Sequence, residues 1–342
     1  RNGKFLREAR LTAKLQHPNI LPVYEIGLDR DGIPYFVMRL LAGEGFRQII
    51  KRQKAGNPEY RNNYPLDRLL GVFLDTCDAI AYAHSRGVLH LDIKPSNIRV
   101  GHHGQTILFD WGLAKVAGTD DGVVFDEDAE PFDPDLLNDM TLSGLMKGTP
   151  GHMAPEQTIA NGRQTTRTDV YALGTLLYYI LAGKLPVKGG SVGELIKNTR
   201  KGNIIPLRLR APGQRIPRSL AAVAMKALQL SPENRYPSAE ALRKEVIRYL
   251  QGFATEAERA GPVKRLQLYG RRHSMILTMG LLFSIVLAGV IGLSLVKVNT
   301  QRQKAVAAQQ TAEKNFELYR RETERSAHLY EDMKTFMMRT TS

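Results

Sequence analysis

Apolar residues at Phe5, Leu6, Ala9, Ala13 and Leu15 recur at helical spacing, and His17-Pro18-Asn19 ends that helix because the residue before a proline avoids the helical region. Ile20 to Leu28 and Tyr35 to Leu41 read as strands joined by a turn at Asp29-Arg30-Asp31-Gly32. Gly43 closes the second strand. Helices are predicted from Gly45 to Lys54 and from Leu66 to Arg86, the latter stopped by Gly87. Val88 to Val100 reads as a loop with short strands, His102-His103-Gly104 as a turn, and Thr106 to Phe109 as a short apolar strand that delivers Asp110. Beyond that the pattern is helical over Thr168–Leu181, Val192–Lys201, Ser219–Leu228 and Ser238–Leu250, with Pro and Gly breaks between.

Met275 to Val296 is different in kind: 22 residues without a charge. At 1.5 Å per residue this crosses a hydrocarbon core of about 30 Å, and basic residues flank it on both sides. A buried core helix is the alternative reading. After it, Ala312, Phe316, Tyr319, Thr323, Ala327, Tyr330, Met333 and Met337 follow three- and four-residue spacings, the pattern of an amphipathic helix or coiled coil. A dimerising stalk, giving a homodimer, and a linker to a further domain are both open.

The formal net charge is +14, which raises the question of nucleic acid. No continuous basic face with interleaved aromatics appears, so nucleic acid is not expected as a partner. The local cluster Lys264, Arg265, Arg271 and Arg272 precedes the apolar run and favours a membrane surface. Cys77 is the single cysteine, placed on the apolar face of a helix, which excludes an intramolecular disulfide and reads as core packing. From Thr119 to Asp139 there are nine acidic residues and no basic one, read as a solvated insertion. The chain starts at Arg1 with no initiator Met, and its last helix runs to Ser342 without a cap, so it reads as a fragment.

The chemistry concentrates in His90-Leu91-Asp92-Ile93-Lys94-Pro95-Ser96-Asn97 and in Asp110-Trp111-Gly112. Two carboxylates, an amide and an ammonium at this spacing can hold a divalent metal beside a polyanion while one carboxylate orients a hydroxyl, the minimum for phosphoryl transfer. With Ala154-Pro155-Glu156 following in order, residues 1 to 250 resemble the eukaryotic-like Ser/Thr protein kinases, and the apolar run after them is similar to bacterial membrane-anchored members. The resemblance implies an α+β kinase fold: a partial small lobe and hinge over 1–42, a mostly helical large lobe over 43–252, a basic juxtamembrane linker over 253–274, one span over 275–296 and a helical tail over 297–342. It implies ATP and Mg²⁺ (or Mn²⁺) as cofactors, a protein substrate with a Ser or Thr acceptor, and a cytoplasmic kinase region on a single-pass membrane protein whose C-terminal segment lies on the opposite side.

Residue by residue, the resemblance makes Asp92 the acceptor of the substrate's proton and Lys94 the group that steadies the phosphoryl group. Asn97 and Asp110 would hold metal. Met38 would line the nucleotide pocket, the backbones of Arg39 and Leu41 would meet adenine, and Glu8 would pair with a strand lysine. His90 and Trp111 belong to the same motifs. Thr149, in Gly148-Thr149-Pro150, and Lys94 point to Ser/Thr rather than Tyr specificity. Glu156 and Arg235 match a buried pair, and Asp169 matches a carboxylate that braces the catalytic loop, or interacts with its helix dipole.

The sequence also departs from the family. It contains no Gly-x-Gly-x-x-Gly run, and the strand lysine that would face Glu8 is expected before Arg1, so this stretch alone is expected to bind ATP weakly; a pseudokinase receptor or scaffold is the competing reading. Trp111 replaces Phe as a larger ring in the same role. Leu91 stands where most members carry Arg, which removes the fork that would read a phosphate on the activation segment. Activity of the full-length protein should therefore not require phosphorylation at Thr141 or Ser143. Alanine at both should leave peptide phosphorylation rates within about threefold of wild type, and loss of activity in a folded double variant would refute this.

Overall fold

The computed structural model describes residues 12–116, 149–159 and 162–340. It divides into two units, Arg1–Tyr269 and Gly270–Ser342, each described by itself. Most of the helix expected from Phe5 to Leu15, together with Glu8, Thr141, Ser143 and the acidic run, lies outside the described residues.

The first unit opens with an antiparallel hairpin of β1 (Val23–Leu28) and β2 (Pro34–Met38). Its turn is built locally: Asp29 Oδ1 accepts from the Asp31 and Ile33 amides at 2.9 and 2.8 Å, while Gly32 takes φ +72°, which suits a residue without Cβ. Both strands are shorter than the sequence pattern predicts. Ile20 instead makes an isolated parallel bridge to Leu108, and the Leu21 amide donates to the Leu108 carbonyl at 3.1 Å.

Two small sheets follow, β3 (Glu44–Gly45), β5 (Ile98–Val100) and β6 (Thr106–Leu108) in one, β4 (Val88–Leu89) and β7 (Lys115–Val116) in the other. The expected turn at His102-His103-Gly104 is present, closed by the Gly104 amide on the Gly101 carbonyl at 2.9 Å. Helix α1 (Phe46–Lys54) buries Phe46, Ile49 and Ile50. A short helix, α2 (Pro58–Asn63), was not expected from periodicity; Asn57 caps it by accepting from the Tyr60 amide, with Pro58 at its first turn.

The helical core is formed by α3 (Leu66–Ser85), α4 (Thr166–Ala182), α7 (Arg218–Ala227) and α8 (Ala239–Leu250), with α5 (Val192–Arg200) and α6 (Leu207–Arg210) at its side. Cys77 is buried in this core and burial raises its thiol pKa, consistent with packing rather than reactivity. Helix α4 is apolar nearly all round and almost wholly buried, as a central helix must be. Thr165 and Thr168 form a reciprocal cap at its start, and Gly183 ends it in the left-handed region at φ +67°. Residues 253–274, expected as a linker, include helix α9 (Pro262–Arg272).

The second unit is one continuous helix, α10 (Ser274–Thr340). Its most apolar window has a mean hydropathy of 2.5 and none of it is buried, so it is one helix long and apolar enough to cross a membrane.

Gly174, midway along α4, is where α7 comes closest: a Cβ there would sit 2.7 Å from Ala227 Cβ and 3.3 Å from Leu228 Cγ. Alanine would improve helix propensity by about 1 kcal/mol, yet the overlap costs about 1–3 kcal/mol. Gly174→Ala is therefore expected to lower the denaturant midpoint; an increase would show that the helices can move apart freely.

Candidate active site

Strand β4 delivers His90, and the loop after it is held by one carboxylate. Asp169, fully buried in the first turn of α4, accepts from the His90 amide at 2.9 Å, the Leu91 amide at 2.8 Å and His84 Nε2 at 2.8 Å. Burial alone would push its pKa up; the hydrogen bonds from His84 and the His90 amide outweigh that and hold it below the ordinary carboxylate range. The grip matters because Leu91 sits at φ +67°, a conformation that costs a non-glycine residue on the order of 1 kcal/mol or more. The Leu91 carbonyl is held as well, by Gln157 Nε2 at 2.8 Å, while Gln157 Oε1 accepts from the Ala154 amide at 2.9 Å. Gln157 thus ties the loop to the Ala154-Pro155-Glu156 segment. Sequence reasoning missed it, and its only signal was adjacency to Glu156.

The Leu91 side chain is 5% exposed, so the residue that replaces an arginine packs as an apolar plug. His90 is buried with its ring 4.5 Å from the Trp111 ring, and its Nδ1 accepts from the Asp92 amide at 3.3 Å. Burial lowers the His90 pKa, consistent with a neutral ring.

The turn that follows points its polar groups at one place. Lys94 Nζ lies 2.5 Å from Asp92 Oδ2 and donates to Thr149 Oγ1 at 2.7 Å, and Thr149 Oγ1 donates to Asp92 Oδ1 at 2.9 Å. Asn97 Nδ2 donates to the Asp92 carbonyl at 3.0 Å. This spends the amide nitrogen and leaves Asn97 Oδ1 as the atom suited to a cation.

The β5–β6 register brings the second carboxylate near. Ile98 pairs with Leu108, the Phe109 amide donates to the Asn97 carbonyl at 3.0 Å, and Asp110 is the next residue, exposed, at φ +65°. An amide oxygen and an exposed carboxylate form a sparse, hard donor set that suits Mg²⁺ or Mn²⁺ completed by phosphate oxygens and water. Among the described residues no cluster of three or more His, Cys, Asp or Glu offers an all-protein metal cage.

Away from this centre, Glu156 and Arg235 make a bidentate pair at 2.7 and 2.9 Å. Thr168 Oγ1 adds a bond to Glu156, and the Gln229, Leu230 and Arg167 carbonyls accept the remaining Arg235 donors. This full satisfaction is what a buried ion pair requires. Met38 is 47% exposed at the end of β2, and the Arg39 amide donates to the Pro22 carbonyl at 3.4 Å; Arg39 and Leu41 lie in the segment after β2.

Comparison with known proteins accords with this geometry: the family described as protein kinase domain matches residues 1–247. The chain belongs to the protein kinase family. Its kinase domain is 38% identical over 258 residues to the serine/threonine-protein kinase PknD of Protochlamydia amoebophila, covering 73% of this chain and 26% of that protein. It is 34% identical to proteins of the same name from Chlamydia abortus (73% of this chain, 26% of the relative) and Chlamydia trachomatis serovar D (73% and 27%). The chain therefore spans about a quarter of the length of these curated relatives. The mixed, mostly helical fold is that of the family, and the eukaryotic-like Ser/Thr kinase resemblance holds.

One group of the kinase domain gives a pH signature. His152, between Thr149 and Ala154, has its pKa lowered by burial from 6.5 to about 4. The unfolded chain then binds the proton first, so stability from this residue is complete above pH 6.5 and is lost as pH falls toward 4. The loss by pH 5 is at most about 2 kcal/mol. The melting temperature of His152→Phe should therefore fall less than that of wild type between pH 7 and pH 5, and equal falls would exclude the effect.

Proposed function

We propose that this chain supplies the catalytic lobe of a membrane-anchored protein Ser/Thr kinase that transfers the γ-phosphoryl group of ATP to Ser or Thr hydroxyls. The observation that carries the reading is the closed triangle of Asp92, Lys94 and Thr149, with Asn97 hydrogen-bonded to the same loop. Asp92 accepts the proton of the incoming hydroxyl and orients its oxygen. Lys94, already against Asp92, places positive charge where the phosphoryl oxygens gather negative charge. Thr149 occupies the space between them and links the activation segment to the catalytic loop.

Asn97 and Asp110 would hold Mg²⁺ or Mn²⁺, which when bound neutralises phosphate charge. Met38, with the backbones of Arg39 and Leu41, would receive the adenine end, and Glu8 would pair with a lysine that contacts the phosphates. Asp169, Gln157 and the Glu156–Arg235 pair are positioning residues. His90 and Trp111 pack ring to ring beneath the loop, linking the elements that carry Asp92 and Asp110.

Since ATP is cytosolic, the kinase domain belongs on the cytoplasmic side, with α10 crossing the membrane once and its distal part on the far side. The hydropathy of α10 supports a span, and its amphipathic distal stretch supports helix pairing, including a homodimer. The substrate is a protein, and no role for nucleic acid is included.

Asp92→Asn in the full-length protein separates catalysis from scaffolding. Phosphorylation of protein substrate should fall by about 10²–10⁴-fold while the melting temperature changes little. Unchanged phosphorylation, or full biological function without it, would remove the catalytic reading in favour of a binding role.

A further inference from the structure

The hydroxyl that meets Asp92 arrives on a polypeptide, and the side chains beside Asp92 decide which polypeptide fits. Helix α1 buries Phe46, Ile49 and Ile50, and its two flanks are treated differently. On one, Arg52 is ion-paired to Glu44 at 3.1 Å and bonded to Tyr60, so its charge is answered. On the other stand Arg47, Lys51 and Lys54, at spacings of four and three, forming one stripe. Arg47 and Lys51 are exposed, and among the described residues neither has an acidic partner. Lys54 lies partly inside the fold, its stem against Gly183 and its ammonium donating to Gln214 Oε1 at 3.2 Å. Burial lowers its pKa to about 8, with no carboxylate to offset it.

This stripe leads to the catalytic centre. Helix α1 packs on the Pro95–Asn97 turn of the loop that carries Asp92 and Lys94, and the His152 amide donates to the Thr149 carbonyl at 3.0 Å, its ring 6.5 Å from the Tyr179 ring. Gly151 packs so closely on Leu185 that a Cβ would lie 2.7 Å from Leu185 Cδ1. The Leu185 carbonyl accepts from Arg210 Nε at 3.0 Å, and exposed Lys184 lies between Leu185 and the Gly183 that touches Lys54. A track thus runs from Lys94 past His152 to Lys184, Lys54 and Arg210, with Arg47 and Lys51 along its α1 side. Among its described members Asp92 is the one acid.

We propose that this track receives the acceptor polypeptide and selects acidic sequence, with aspartate, glutamate or already phosphorylated residues flanking the Ser or Thr. A basic stripe with no acidic partner among the described residues, beside the transfer site, draws such a chain in and disfavours a basic one, since like charges brought together are costly. The proposal rests on the phosphoryl-transfer reading above for its acceptor.

The test uses the full-length protein in nanodiscs and three labelled peptides that share one central Ser flanked by Glu, Ala or Lys. Binding is read by fluorescence anisotropy and transfer by labelled ATP. The Glu peptide should bind about tenfold or more tighter than the Ala peptide at low salt, and the advantage should shrink as salt rises. R47E with K51E should cancel that advantage and improve binding of the Lys peptide, a gain that a misfolded variant would not show. Equal binding of the three peptides overturns the proposal, as does a Glu preference that survives charge reversal. Loss of phosphatidylserine-vesicle binding in the variant, with peptide preference unchanged, also overturns it and assigns the stripe to a membrane surface. Glu-peptide binding without transfer keeps the selective groove and removes the catalytic reading instead.

Discussion

The Asp169 carboxylate is fully buried, a position that costs several kcal/mol unless its oxygens are answered. Two backbone amides and one imidazole answer them, and those amides belong to His90 and Leu91. The central helix and the His90–Asn97 loop are therefore joined by a bond that neither can give up cheaply. Leu91 remains in a disfavoured conformation because Asp169 holds its amide and Gln157 its carbonyl. Its backbone geometry sets where Asp92 begins, and with it the Lys94 and Thr149 contacts.

Much of this was legible from residues alone because each signal was local. The run from His90 to Asn97 carries its chemistry within one turn, and Asp169 stands where a helix start would place an acid. Other features depend on tertiary contact and leave little local trace. Gln157 reads as an ordinary polar residue until the fold puts the Leu91 carbonyl beside it. Helix α2 is too short to show periodicity and rests on its Asn57 cap. The strand pattern in the sequence runs longer than the strands themselves because it continues past the point where partners end: Ile20 pairs with Leu108, not with the hairpin.

Helices α4 and α10 show why apolar content alone does not decide environment. Both contain long apolar stretches, but α4 is enclosed by α3, α7 and α8 and starts and ends with explicit caps. Helix α10 buries none of its most apolar window and continues without a break into a charged, amphipathic stretch. The first is a scaffold for Asp169; the second is long and apolar enough to cross a membrane.

That continuity has a mechanical consequence. Because α10 is a single helix, every residue between its apolar stretch and Phe316 advances the phase by about 100°. Azimuth is thus conserved along the element: turning the far face about the axis turns the apolar stretch by the same angle. Lengthening the intervening segment by one residue would place Phe316 and Tyr319 on a different side, whereas seven residues would nearly restore it, leaving about 20° of drift. The facing of its distal stretch is thus counted in residues.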